Sequence, residues 1–100
     1  DVEKEIKAKE AKLFLFDILK SMEGSLNAKL FDSDLNLIKE VPVKEVTENL
    51  DGVYAIVLDG IITQRLLDLA EAKNVKVIVG VNKGNIFRVP KEIKIYSLNE

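Results

Sequence analysis

Residues 53–80 read VYAIVLDGIITQRLLDLAEAKNVKVIVG, and the fold follows from how this stretch is divided. Val53 to Leu58 is apolar throughout and rich in β-branched residues. Such a run suits a strand covered on both faces, as in a parallel sheet. Asp59-Gly60 then turns the chain into a helical pattern, with Ile62, Leu66, Leu69 and Ala70 on one side at helical spacing. Asn74 suits a left-handed helix stop, and Val75 to Val79 reads as a second buried strand. Strand, helix and strand make a βαβ unit, whose crossover is expected to be right-handed. The rest of the chain must pack around it.

Upstream, Glu3 to Met22 has helical spacing over roughly 20 residues, or about 30 Å. Ala11, Phe14, Leu15, Ile18, Leu19 and Met22 form one stripe, and Gly24 ends the element. Leu13 and Phe16 fall outside that stripe. A small domain has little spare core to wrap a helix on all sides, so these two are candidate protein-docking residues. The alternative is that Phe16 lies against the hairpin that follows. That hairpin pairs Leu26 to Phe31 with Leu35 to Val41 through Asp32-Ser33-Asp34, and Pro42 closes it. Val43 to Leu50 has room for two helical turns.

Downstream of Gly80, Asn82-Lys83-Gly84-Asn85 reads as a turn and Ile86 to Val89 as a short edge strand ending at Pro90. Ile93 to Tyr96 alternates and supplies a last strand. The expected fold is α/β: one domain over residues 1–100, a small mixed sheet around the central βαβ unit, and a long N-terminal helix. The chain begins at Asp1 rather than Met, as expected of a piece of a longer protein.

Composition narrows the chemistry. The chain has no Cys and no His, which excludes disulfides, thiolate or imidazole zinc sites and Ser-His triads within it. No apolar run approaches the roughly 20 residues that span a bilayer, so no membrane partner is expected. A net charge of −2 gives no overall attraction to nucleic acid. Arg65, Lys73, Lys76, Lys83, Arg88, Lys91 and Lys94 nevertheless gather in the second half, with Phe87 and Tyr96 among them. Arg65, Lys83 and Arg88 are therefore candidate RNA contacts, against the plainer alternative of a solvated charged face.

Asp59 stands where a buried strand meets a helix, the edge at which open α/β sheets bind ligands. It can equally serve only to make the turn. Asp32 and Asp34 form an Asp-x-Asp pair that could hold magnesium with Asp59, or merely fill the hairpin turn.

Leu26 to Val43, Ala55 to Arg65 (AIVLDGIITQR) and Val77 to Gly80 (VIVG) resemble the C-terminal region of the archaeal DnaG-type primases. The resemblance implies a parent with a magnesium-dependent catalytic Toprim domain upstream and a part in RNA-primer synthesis. It also implies docking on a cap subunit of the archaeal RNA exosome, contact with adenine-rich RNA, and a cytoplasmic setting. A Toprim site needs Glu-Gly after one strand and Asp-x-Asp after a later one. Here Asp59-Gly60 replaces the first, and Val81-Asn82-Lys83-Gly84 stands where the second is needed. The segment is thus expected to be Toprim-like without the metal-binding carboxylate set. A non-catalytic docking domain and a magnesium-dependent nucleotidyl-transfer site using Asp59, Asp32 and Asp34 are the two readings that follow.

Overall fold

The computed structural model describes residues 13–98. The first helix, α1, is described over residues 13–21, and its expected beginning, with Ala11, lies outside the described residues. Five strands form the main sheet: β1 (Asn27–Phe31), β2 (Leu37–Pro42), β3 (Ala55–Leu58), β5 (Val77–Gly80) and β7 (Lys94–Ser97), in the order β2-β1-β3-β5-β7. β1 is antiparallel to both neighbours, whereas β3, β5 and β7 run parallel. The expected central pair is therefore present, adjacent and parallel, with β3 in the middle of the sheet. A 3-10 helix (Val43–Glu48) follows β2, and α2 (Gln64–Ala72) crosses from β3 to β5.

The apolar run of β3 is explained by what covers it. Ile56 and Leu58 face a core built with Val46, Leu50, Leu66, Leu67 and Ala70, beneath the 3-10 helix and α2. Ala55 and Val57 face a second core with Leu15 and Leu19 of α1 and Met22 just beyond it. Both faces of β3 are dry, so strict apolar–polar alternation is lost at the centre of the sheet, while β2 at its edge stays largely exposed. The result is three layers, helix on sheet on helix, the Toprim-like α/β arrangement the sequence implies.

Several boundaries differ from expectation, each for a local reason. Ile61 and Ile62 do not start the helix. They form a short strand, β4, that pairs in parallel with β6 (Asn82–Lys83), and Thr63 caps α2 by accepting from the Leu66 amide at 3.2 Å. Ile86 to Val89 is not a strand. The Phe87 and Arg88 amides that a ladder would use both donate to the Gln64 side-chain carbonyl, at 2.8 and 3.0 Å. The second edge strand is β7 instead. Asn74 and Gly24 do take left-handed backbones at the helix ends, with φ of 63° and 87°.

The stripe on α1 is also narrower than expected. Leu15, Leu19 and Met22 are buried, while Phe14, assigned to the stripe, is 44% exposed. Phe14 and Phe16 stand about 100° to either side of Leu15. Phe14 meets Phe31 of β1 edge-on at 6.3 Å, and Phe16 meets Tyr96 of β7 edge-on at 6.2 Å. Phe16 thus lies on the β7 side, not against the hairpin. Two aromatic contacts fix α1 across the sheet from both sides.

Candidate functional site

β3 and β5 end at the same edge of the sheet, and the segment from Asp59 to Arg65 passes over it. Asp59 is buried there, and its Oδ2 accepts the Leu26 amide at 2.9 Å while its own amide donates to the Asn27 carbonyl at 3.0 Å. Those two bonds hold Leu26 in a left-handed backbone, φ 57°, just before β1. Asp59 therefore makes a structural joint between β3 and the start of β1.

Asp32 sits at the other end of β1. Its Oδ1 accepts the Asp34 and Asn36 amides, at 2.9 and 3.0 Å, and the turn so formed carries Leu35 at φ 62°. Asp32 lies five positions beyond Asn27, the partner of Asp59, or about 17 Å away at 3.3 Å per residue. Asp59 cannot share an ion with Asp32 and Asp34. Among the described residues no cluster of three or more carboxylates is placed to hold a metal. Asp59, Asp32 and Asp34 do not fit one magnesium site, because they stand at opposite ends of β1, and one oxygen each of Asp59 and Asp32 accepts backbone amides.

Arg65, Lys83 and the backbone of Arg88 come to one region, around the amino end of α2, whereas the Arg88 guanidinium lies toward the helix's other end. Arg65 is in its first turn, and Lys83 is paired in register with Ile62. Arg88 is drawn along the helix to Glu71, with Nη2 to Oε1 at 2.6 Å. Gln64 organises the loop between them: its carbonyl takes the two amides already named, and its Nε2 donates to the Arg88 carbonyl at 3.0 Å and to Asp68 at 2.9 Å. That anchoring leaves Phe87 89% exposed and Ile61 53% exposed. Neither Gln64 nor Phe87 is singled out by spacing or motif in the sequence. A lone Phe in a charged segment was visible only as a possible stacking surface.

The two remaining candidates part company on α1. Leu13 is 64% exposed, whereas Phe16 is half-buried against the second core. At the opposite edge of the sheet, Lys73 binds Asp51 at 2.8 Å and Lys76 binds Glu92 at 3.2 Å. The hydrogen bond from Lys73, then its charge, holds the Asp51 carboxyl below its ordinary value.

Comparison with known proteins places the chain. It is 43% identical over 94 residues to the DNA primase DnaG of Pyrobaculum neutrophilum, covering 87% of this chain and 23% of that protein. The chain is a fragment of a DnaG-type protein. DnaG of Archaeoglobus fulgidus is 41% identical over 107 aligned positions, covering 98% of this chain and 27% of that protein. DnaG of Staphylothermus marinus is 40% identical, covering 99% of this chain and 24% of its own length. The DnaG-type chain thus spans about a quarter of the curated relatives it matches. No family model matches it, and no solved structure does. Among its described residues no helix is long and apolar enough to cross a membrane.

Proposed function

We propose that this chain is a non-catalytic docking domain, the C-terminal region of a DnaG-type primase, which attaches its parent to a cap subunit of the archaeal RNA exosome. The observation that carries this reading is where large apolar side chains remain after both cores are filled. Leu13 on α1, and Ile61 and Phe87 beside α2, stand in solvent, with the backbone under Phe87 held by Gln64 and that under Ile61 by the β4–β6 pairing. Primer synthesis by the parent, and its magnesium, belong in this reading to the Toprim domain upstream. The rival, nucleotidyl transfer by this segment, is disfavoured by the separation of Asp59 from Asp32 along β1.

Calorimetric titration of the purified chain with a purified exosome cap subunit tests the proposal. Saturable binding with micromolar or tighter affinity is expected, a binding free energy of about −8 kcal/mol or more negative. Absence of heat, together with separate migration of the two proteins on gel filtration, would overturn it.

A further inference from the structure

The dipeptide Asp-Gly occurs twice, at 51–52 and at 59–60, and the fold gives the two opposite surroundings. We propose that Asp51-Gly52 is a site of spontaneous isoaspartate formation, and that the Lys73 ammonium restrains the reaction. The inference is independent of the docking role.

The chemistry needs no co-reactant but water. The Gly52 amide nitrogen attacks Cγ of the Asp51 carboxylic acid and closes a five-membered succinimide. A C–N bond forms and a C–O bond breaks, the hydroxyl leaving as water with the amide proton. Water then reopens the ring. Addition at Cγ restores aspartate, and addition at the backbone carbonyl carbon gives isoaspartate, whose main chain runs through Cβ and Cγ. The step asks for an amide without an acceptor, room for the peptide to rotate, and a carboxyl that can take up a proton.

Asp51-Gly52 meets the first two requirements. The pair sits at the centre of a turn closed by one bond, from the Val53 amide to the Leu50 carbonyl at 3.3 Å. Gly52 takes φ 74° there, and its own amide donates to no acceptor among the described residues. A Cβ built on Gly52 would meet nothing within 4 Å, and the Asp51 side chain is 89% exposed. Asp59-Gly60 is closed off instead. Asp59 is buried, with its Oδ2 on the Leu26 amide and its own amide on the Asn27 carbonyl. The Gly60 carbonyl accepts the Val81 amide, and a Cβ on Gly60 would stand 3.3 Å from Val43.

Lys73 governs the third requirement. Its Nζ donates to Asp51 Oδ1 at 2.8 Å and so favours the ionised carboxylate, which has no good leaving oxygen. Two other charged side chains line the cavity beside Gly52. Asp32 is turned to the Asp34 and Asn36 amides and Lys76 to Glu92, so Lys73 is the cation brought to this carboxylate. The reaction would also be felt in the core. Leu50 and Val53, on either side of the pair, are buried, and an extra main-chain carbon between them shifts one against the other.

The test incubates full-length protein at neutral pH, beside a urea-unfolded reference, and locates isoaspartate by electron-transfer fragmentation of digested peptides. Folded wild type is expected to lose aspartate at Asp51 and not at Asp59, whereas the unfolded reference reacts at both. Lys73→Ala should raise the rate at Asp51 about threefold, the size of an exposed ion pair's effect, and Lys73→Arg should leave it near wild type. In every variant Asp59 reports within the same digest whether the fold has stayed closed. No isoaspartate at Asp51 in folded wild type, or equal amounts at Asp51 and Asp59, would overturn the site. An unchanged rate at Asp51 in Lys73→Ala, with Asp59 still unreacted, would overturn the role of Lys73.

Discussion

Leu26 is the residue whose conformation is most at odds with its type. A γ-branched side chain at φ 57° costs roughly 1–2 kcal/mol over glycine, yet its side chain is 70% exposed and returns little by burial. Asp59 holds it there. Asp59→Ala should therefore remove the acceptor of a part-buried amide and lower stability by about 1–3 kcal/mol, read from urea unfolding. Leu26→Gly should do the opposite in the same assay and match or exceed wild-type stability. Gln64→Ala should cost only about 1 kcal/mol, but it should speed exchange of the Phe87 and Arg88 amides selectively. Unchanged exchange there would mean the loop is fixed by something other than Gln64. At Asp51, whose carboxyl is lowered, the sign is that its stabilising bond is present above the ordinary carboxylate range and lost as pH falls through the lowered value. Lys73→Ala should return the Asp51 titration, followed by NMR, toward its ordinary position.

At the scale of elements, Val57 of β3 is fully buried in the second core, between α1 and the sheet. Val57→Asp places an unpaired charge there at a cost of several kcal/mol, a large share of the stability of so small a domain. The variant is expected to lack a cooperative melting transition. Phe16→Ser should lower stability by about 2–3 kcal/mol, because Phe16 packs on Tyr96. The βαβ unit and the hairpin were legible because each rests on local signals: a continuous β-branched run, an Asn stop, acidic turn residues. The 86–89 segment was misread as a strand because its competitor for backbone amides, Gln64, lies more than twenty residues earlier in the chain. Periodicity carries no record of such a partner. The α1 stripe was misread at Phe14 for a related reason. A helical wheel gives angles, but which flank is covered depends on the sheet beneath. For the candidate site, the sequence brought Arg65, Lys83 and Arg88 forward together, and their common location beside α2 needed the β4–β6 pairing to be seen.

For the whole molecule, the carboxylates at opposite ends of β1 give a direct expectation. Magnesium titration followed by NMR should produce no common set of shifts at Asp59, Asp32 and Asp34, and the purified chain should not polymerise ribonucleotides in the presence of magnesium. The sheet order carries a further consequence, for the route by which the chain reaches this state. β3 joins an antiparallel half, β2-β1-β3, to a half made by crossovers, β3-β5-β7. Paired residues are 17 positions apart in β5–β7 (Val77 and Lys94) and 22 in β3–β5 (Ala55 and Val77), but 24 to 30 in β1–β3 (Phe31 and Ala55, Ala28 and Leu58), so the β1–β3 ladder closes the longest loops before its bonds repay the loss of chain entropy. Folding should then be polarised, with high φ-values at Ile78 and Ile95, and a low one at Ala28. Weakening the β1–β3 ladder would in that case quicken unfolding and leave the folding rate nearly untouched, so the lifetime of the native state is governed from the antiparallel side of the sheet.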